Sequence, residues 1–328
     1  MKKETAVALP FEALKQKIDG AKTITILTHI NPDADTLGTG LGIFALLSQD
    51  KTKRIEIVNG SVDLPKYLDF LPYFHKIKSH IDYQESLIIS CDGGSLDRLG
   101  FDLQEREIIN IDHHVSNTHY GTVNVIIPEY ASASQVAFEL FKPFYPINKE
   151  AATCFYTALF SDTQHFTISS VNGTVLEVAQ ALIEYGALPH EIAFHLTQRK
   201  PLSALRILEK ALASLCLSTD GKIATLWVTQ NDIKASGARI PDMDGIVDYA
   251  RSLATVEIAI FAMELEEGIR ISLRSKEVDI LPVALFFGGG GHKVAGGFVL
   301  PPSDLQETID TILTKIHTLG LLNEKQTK

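Results

Sequence analysis

The sequence predicts an α/β protein: an N-terminal doubly wound parallel sheet, then a smaller α+β domain, with a helix joining the two. Three observations carry this. At 328 residues the chain is about twice the length of a typical single domain. Short apolar or β-branched runs at residues 23–28, 54–59, 86–90 and 107–111 are interleaved with helix-length stretches such as 37–48, the alternation expected of crossover connections. After Pro201, residues Leu202, Leu205, Leu208, Leu212 and Leu215 keep the three-to-four spacing of one amphipathic helix with proline near its first turn. The expected boundaries are 1–197 for the first domain, 198–217 for the connecting helix and 218–328 for the second domain.

Within the second domain, residues 222–229, 257–264, 268–274 and 298–300 read as strands. Residues 279–287 and 304–319 read as helices. No internal repeat or low-complexity tract interrupts the chain, and only the polar tail 323–328 is expected to fray.

Composition narrows the function. Hydrophobic residues make up 45% of the chain, yet no unbroken apolar run approaches the roughly 18 residues a bilayer span requires. The apolar stretch 6–9 behind Lys2 and Lys3 is cut off by Pro10, Phe11 and Glu12, which predicts no secretory segment and a cytoplasmic location. Cys91, Cys154 and Cys216 lie far apart in apolar stretches and are expected to be buried, reduced thiols. A net charge of −10 opposes the counterion release by which proteins grip long nucleic acid, so short or mononucleotide substrates fit better than long duplexes.

The chemistry gathers at strand ends. The first strand runs into His29-Ile30-Asn31-Pro32-Asp33-Ala34-Asp35, where alternate residues of extended backbone set Asp33 and Asp35 on one side. Asp92 follows the apolar run 87–91 and precedes two glycines, and Asp112-His113-His114 follows the apolar run 108–111. In open α/β sheets the ligand crevice lies outside the carboxyl ends of the strands, so these clusters are expected to converge. Asp162 closes the apolar helical run 151–160 and is the member least fixed by spacing. Each residue alone has a plainer reading, as a helix cap, a turn former or a strand-end histidine. Together they do not: carboxylates crowded into one crevice repel one another unless cations neutralise them. Carboxylate and imidazole donors without thiolate suit manganese, magnesium, cobalt or iron(II), with manganese the preferred expectation.

These residues, His29-x-Asn-Pro-Asp-x-Asp35, Asp92, Asp112-His113-His114 and Asp162, resemble the ordered motifs of the DHH phosphoesterases. The resemblance implies two divalent ions that activate water for attack on phosphorus. His29, Asp33 and Asp92 would hold one, and Asp35, Asp92, His113 and Asp162 the other. It further implies that His114 faces substrate and that Asp112 orients a histidine.

In the second domain, the strand 268–274 alternates Ile269, Ile271 and Leu273 with Arg270, Ser272 and Arg274. Arg274-Ser275 is followed by the run Gly288-Gly289-Gly290-Gly291-His292, where bare backbone amides could meet an anion. With Met243-Asp244-Gly245-Ile246-Val247, these segments resemble the DHH-associated C-terminal domain of oligoribonucleases and pAp phosphatases. The resemblance implies a terminal-phosphate grip by Arg274, Ser275, Gly289, Gly290, Gly291 and His292, closure on substrate, and 5′-mononucleotide products from short RNA, pApA or pAp. It departs at Gln164 and Gly296, where relatives often carry glycine and alanine. A manganese inorganic pyrophosphatase, a RecJ-type exonuclease and a non-catalytic nucleotide sensor are the competing readings. A homodimer is compatible with all of them, and no membrane partner is expected.

Overall fold

The computed structural model describes residues 11–322. The leader residues 2–10 and the tail 323–328, on which two expectations rested, lie outside them. Two compact units divide the chain at Arg199 and Lys200.

The first unit begins with helix α1 (Phe11–Gly20) and strand β1 (Thr23–Thr28), followed by α2 (Ala34–Leu47), β2 (Arg54–Asn59) and the short β3 (Ile77–Lys78). Then come β4 (Leu87–Cys91), β5 (Ile108–Asp112), β6 (Val123–Ile126), α3 (Ala133–Phe141), α4 (Lys149–Asp162), α5 (Gly173–Glu184) and α6 (Pro189–Thr197). The six strands form one parallel sheet in the order β3-β2-β1-β4-β5-β6. The chain therefore winds outward in one direction from β1 and in the other from β4, and the β1/β4 boundary is the switch point where such sheets open a crevice. All five residues of β4 and of β5 are buried, as strands of a parallel sheet covered on both faces should be.

Helix α2 is the keystone of this unit, with thirteen of its fourteen residues buried. Its glycines let it lie against a neighbour at backbone range: a Cβ on Gly38 would stand 2.6 Å from the Cys154 carbonyl oxygen and 2.8 Å from Ala158 Cβ on α4. The start of α2 is tied to two strand ends by Thr36, whose hydroxyl donates to the Cys91 carbonyl at 2.8 Å and accepts from the His29 N–H at 3.2 Å.

The second unit contains α7 (Leu202–Ala213), β7 (Cys216–Leu217), β8 (Ile223–Val228), α8 (Gln230–Ser236), α9 (Ile246–Arg251), β9 (Ile258–Leu265) and β10 (Gly268–Ser275). It ends with α10 (Leu281–Phe286), β11 (Gly290–His292), β12 (Ala295–Leu300) and α11 (Leu305–Thr318). Its sheet runs β11-β12-β10-β9-β8-β7 and is mixed, with β8 and β9 parallel and the other pairs antiparallel. One face packs Ile260, Ile271 and Leu273 against Val283 and Ile312, and the other packs Leu226 and Phe261 against Ile207 and Val247. Helix α7 thus sits on the second unit, its Ile207 and Ala211 buried against Ala224 and Leu226.

One expectation is corrected here. Cys91 and Cys154 are buried, but Cys216 is exposed, because β7 is a two-residue strand at the sheet margin and shows both its side chains to solvent. Among the described residues no helix is long and apolar enough to cross a membrane.

Candidate active site

Four segments of the first unit bring the sequence-predicted residues together. The turn after β1 carries His29, Asp33 and Asp35. Asp33 caps α2, its Oδ1 accepting from the N–H groups of Asp35 at 3.0 Å and Thr36 at 3.1 Å. The capping reading is therefore true of Asp33, and the same Oδ1 also stands 3.9 Å from His29 Nε2. Asp35 enters the core, where Oδ2 accepts from the Ala133 N–H at 2.7 Å and Oδ1 from Ser134 at 3.2 Å. These are unpaired donors of the first turn of α3, which favours a negative charge there.

Asp92 follows β4 in the left-handed region at φ +60, a conformation costly for a residue with a side chain. Its N–H is held by the Ile111 carbonyl at 2.9 Å. The turn aims the carboxylate between two groups: Oδ2 lies 3.4 Å from His29 Nε2, and Oδ1 lies 3.7 Å from His113 Nε2 and 3.4 Å from His114 Nδ1. His113 Nε2 is also 3.7 Å from Asp35 Oδ2 and 3.5 Å from Asp162 Oδ2. Asp162, the last residue of α4, thus reaches the cluster that spacing alone could not guarantee. The turn beyond it holds Gln164, His165 and Phe166 all at positive φ, and Gln164 at φ +45 occupies a backbone conformation that glycine adopts without strain.

The imidazoles are set from behind. His29 Nδ1 lies 2.9 Å from the Ile30 carbonyl and His113 Nδ1 lies 3.2 Å from the Tyr130 carbonyl. A carbonyl can only accept, so each Nδ1 carries a hydrogen and each Nε2 is turned to the carboxylates. Burial pushes the His29 imidazole below its usual value against the pull of Asp33, which keeps it neutral. His114 is held differently: its Nδ1 donates to Asp112 Oδ1 at 2.6 Å. Asp112 is fully buried and also accepts from the N–H groups of His113 and His114 and from the Asn117 amide at 2.5 Å. Burial alone would raise its pKa, but the His114 and Asn117 bonds outweigh burial and bring it to about 2.

Asp35, Asp92 and the partly exposed Asp162 go the opposite way. Burial, then the charges of neighbouring aspartates, raises Asp92 and Asp162 well above the carboxylate range, and burial raises Asp35 against the pull of His113. Asp92 Oδ1 is buried without a hydrogen-bond partner. Donor atoms fall into sets within 4.8 Å of one another: His29, Asp33 and Asp92; Asp35, His113 and Asp162; and Asp92, Asp112, His113 and His114. Hard oxygen and imidazole donors, crowded and short of hydrogen bonds, fit divalent cations.

In the second unit, Arg274 pairs across the sheet with Ala295 on β12, and Ala295 pairs with His292 on β11. Directly opposed residues share a face, so Arg274 and His292 lie on the same side of this sheet. Arg274 donates to the Leu273 carbonyl at 2.9 Å. Burial, opposed by Asp248, lowers its pKa. The glycine run is not simply an open loop. Gly289 and Gly291 lie against the backbone of β12, where a Cβ on either would collide with the carbonyl of Gly297 or Ala295, while Gly290 opens onto clear space. Ser275 differs from the expectation of an exposed phosphate contact: it is fully buried, with its hydroxyl donating to the Val278 carbonyl at 2.5 Å, which turns it into the bend after β10.

Comparison with known proteins agrees with this geometry. The profile of the DHH family, N-terminal domain, matches residues 23–159, and that of the DHHA1 domain matches residues 220–318. The chain carries the N-terminal domain of the DHH family and a DHHA1 domain. It is 29% identical over 300 residues to the bifunctional oligoribonuclease and PAP phosphatase NrnA of Thermus thermophilus, covering 89% of each chain. It is 24% identical to the protein of that name from Bacillus subtilis, covering 90% of this chain and 94% of the relative. Among solved structures, an exopolyphosphatase-related protein from Bacteroides fragilis superposes with a TM-score of 0.87 at 25% identity, covering 96% of this chain and 99% of that one.

Several residues that shape the DHH-domain site escaped sequence reasoning. Asn117, three positions past His114, was legible as a polar residue just beyond a ligand cluster. The N–H groups of Ala133 and Ser134 carry no side-chain signal, although Ser132 and Gln135 announce a helix start, Ser132 Oγ accepting from the Gln135 N–H at 3.1 Å. Arg98 lies beside His29 and was not singled out at all.

Proposed function

We propose that this DHH-family phosphoesterase hydrolyses short oligoribonucleotides, linear dinucleotides such as pApA, and pAp, releasing 5′-mononucleotides. The single observation that carries the reading is Asp92, a buried carboxylate whose two oxygens face two different donor sets, His29 with Asp33 on one side and His113 with Asp35 and Asp162 on the other. His29, Asp33 and Asp92 would hold one divalent ion and Asp35, Asp92, His113 and Asp162 a second, with manganese the preferred metal. Bound there, such ions lower the pKa of water and neutralise charge on a phosphoryl group.

The remaining roles belong to the chain itself. Asp112 fixes the tautomer of His114 and leaves its Nε2 to meet the substrate phosphate. Arg274 supplies a fork for a terminal phosphate, with His292 on the same sheet face and the open amide edge at Gly290 beside it. Gly289 and Gly291 serve that edge by letting β11 lie flat on β12. The relatives' names support the substrate class, since both T. thermophilus and B. subtilis NrnA are called oligoribonuclease and PAP phosphatase. A cytoplasmic site of action, a division of labour between residues 1–197 and 218–328 and a homodimer belong to the same reading.

A turnover panel of pAp, pApA, short RNA and pyrophosphate with manganese tests it. The expected result is hydrolysis of the nucleotides with pyrophosphate left intact. Turnover of pyrophosphate alone would replace this reading with that of an inorganic pyrophosphatase. Binding of nucleotides without hydrolysis of any would replace it with that of a sensor.

A further inference from the structure

We propose that Arg98 is a substrate-binding residue of the first unit, its guanidinium gripping the phosphate that enters beside His29. The inference rests on the phosphoesterase reading and adds a residue to it. Arg98 lies in the 3-10 turn Leu96–Leu99 that follows Asp92-Gly93-Gly94. That turn is fastened to the His29 loop: the Arg98 carbonyl accepts from the Ile30 N–H at 2.8 Å, and Leu99 is fully buried beneath it. Gly100, at φ +75, lies so near Ile30 that a Cβ would stand 2.6 Å from its Cγ2. The arginine is thus built into place, while its side chain is exposed.

The guanidinium comes within 3.3 Å of His29 Nδ1. That approach is not a hydrogen bond, because Nδ1 already carries a hydrogen directed at the Ile30 carbonyl and has no lone pair for a second donor. Among the described residues Arg98 makes no ion pair, although Asp33 and Asp92 both flank His29. The charge balance explains what it waits for. With two divalent ions bound, Asp33, Asp35, Asp92 and Asp162 would all be ionised and would balance the ions' charge, and Asp112 is matched by its own bonds to His114 and Asn117. A loaded cluster is then close to neutral, and a guanidinium at its rim is surplus positive charge with a planar fork suited to phosphate oxygens. The contact is made by geometry that a lysine could imitate only as a point charge.

The test uses the full chain loaded with manganese and the variants Arg98→Gln and Arg98→Lys. Calorimetry would follow inorganic phosphate and AMP, kinetics would follow pAp and pApA, and electron paramagnetic resonance would give manganese affinity. Loss of a charge-assisted contact should weaken phosphate and AMP binding roughly tenfold or more and lower kcat/KM roughly 10- to 100-fold in Arg98→Gln. Manganese affinity should stay within about twofold of wild type, and Arg98→Lys should recover part of the loss. Unchanged phosphate and AMP binding in Arg98→Gln would overturn the proposal. So would manganese affinity falling in step with activity, which would mark Arg98 as a support for His29. Wild-type protein that binds phosphate through Arg98 yet hydrolyses no phosphoester would sink the phosphoesterase reading and leave this inference standing. Active wild type with an indifferent Arg98→Gln would sink this inference alone.

Discussion

Asp92 bears two constraints at once, a left-handed backbone and a buried carboxylate facing two donor sets. Asn is the informative substitution, because it tolerates that backbone and keeps the shape while removing the charge. Asp92→Asn should lower manganese-dependent hydrolysis by roughly a thousandfold or more. Without metal it should melt no lower than wild type, since a crowded buried charge has been removed, and thermal scans with and without manganese would show both effects. A lower melting point without metal would mean that Asp92 holds the fold by some other contact. Arg274→Ala belongs to the other unit and to a different step. It should raise KM about tenfold with kcat little changed, as expected when a phosphate contact is lost from ground and transition states alike; a fall in kcat at constant KM would contradict that role. At this scale the sequence was informative where chemistry and strand ends coincided. His29, Asp33, Asp35, Asp92 and His113 could be placed from apolar runs alone, because a parallel strand delivers its C-terminal residue to the crevice. Ser275 was named through the resemblance alone, and its hydroxyl is buried because the position after Arg274 on the strand turns to the other face.

Helices α2 and α4 form the element on which the site depends, for the first presents Asp33 and Asp35 at its start and the second Asp162 at its end. Their approach is set by backbone contact at Gly38, so a methyl group there has nowhere to go. Gly38→Ala should cost about 1–3 kcal/mol in urea unfolding through overpacking. It should also weaken manganese binding at the His113 side more than at the His29 side, since the shift separates α2 from α4. An alanine variant of full stability would show that the helices yield more readily than their packing implies. Strands β1 and β2 were legible to the residue, because their β-branched runs are bounded by turn formers. The start of α2 was not: a helix carrying three glycines has little helical propensity, and only Asp33 as a cap and burial on nearly all sides hold it. Strand β6 is four residues long with a polar Asn124, and strand β11 is made of glycine and histidine, so neither shows a pattern before its partner strand is in place.

For the whole molecule, the raised carboxyls make stability depend on pH and on metal together. Asp35, Asp92 and Asp162 have folded pKa values above those of the unfolded chain. The folded state then binds more protons than the unfolded state above the ordinary carboxylate range, so metal-free stability falls as pH rises through the raised values. Asp112, held at about 2, acts in the opposite sense and loses its contribution only in stronger acid. Metal-free protein should therefore show a Tm that declines as pH rises above the ordinary carboxylate range, and manganese should flatten or reverse that decline while releasing protons on binding. A flat metal-free profile would mean that the carboxyls do not repel one another as their burial requires. The spread of the ligands also sets an order of events during synthesis. A nascent chain leaving the ribosome presents His29, Asp33 and Asp35 early, but Asp162 arrives only when nearly the whole first unit has been translated. On the ligand assignment proposed above, an ion at the His113 side would therefore be captured only late in synthesis, after Asp162 has been translated.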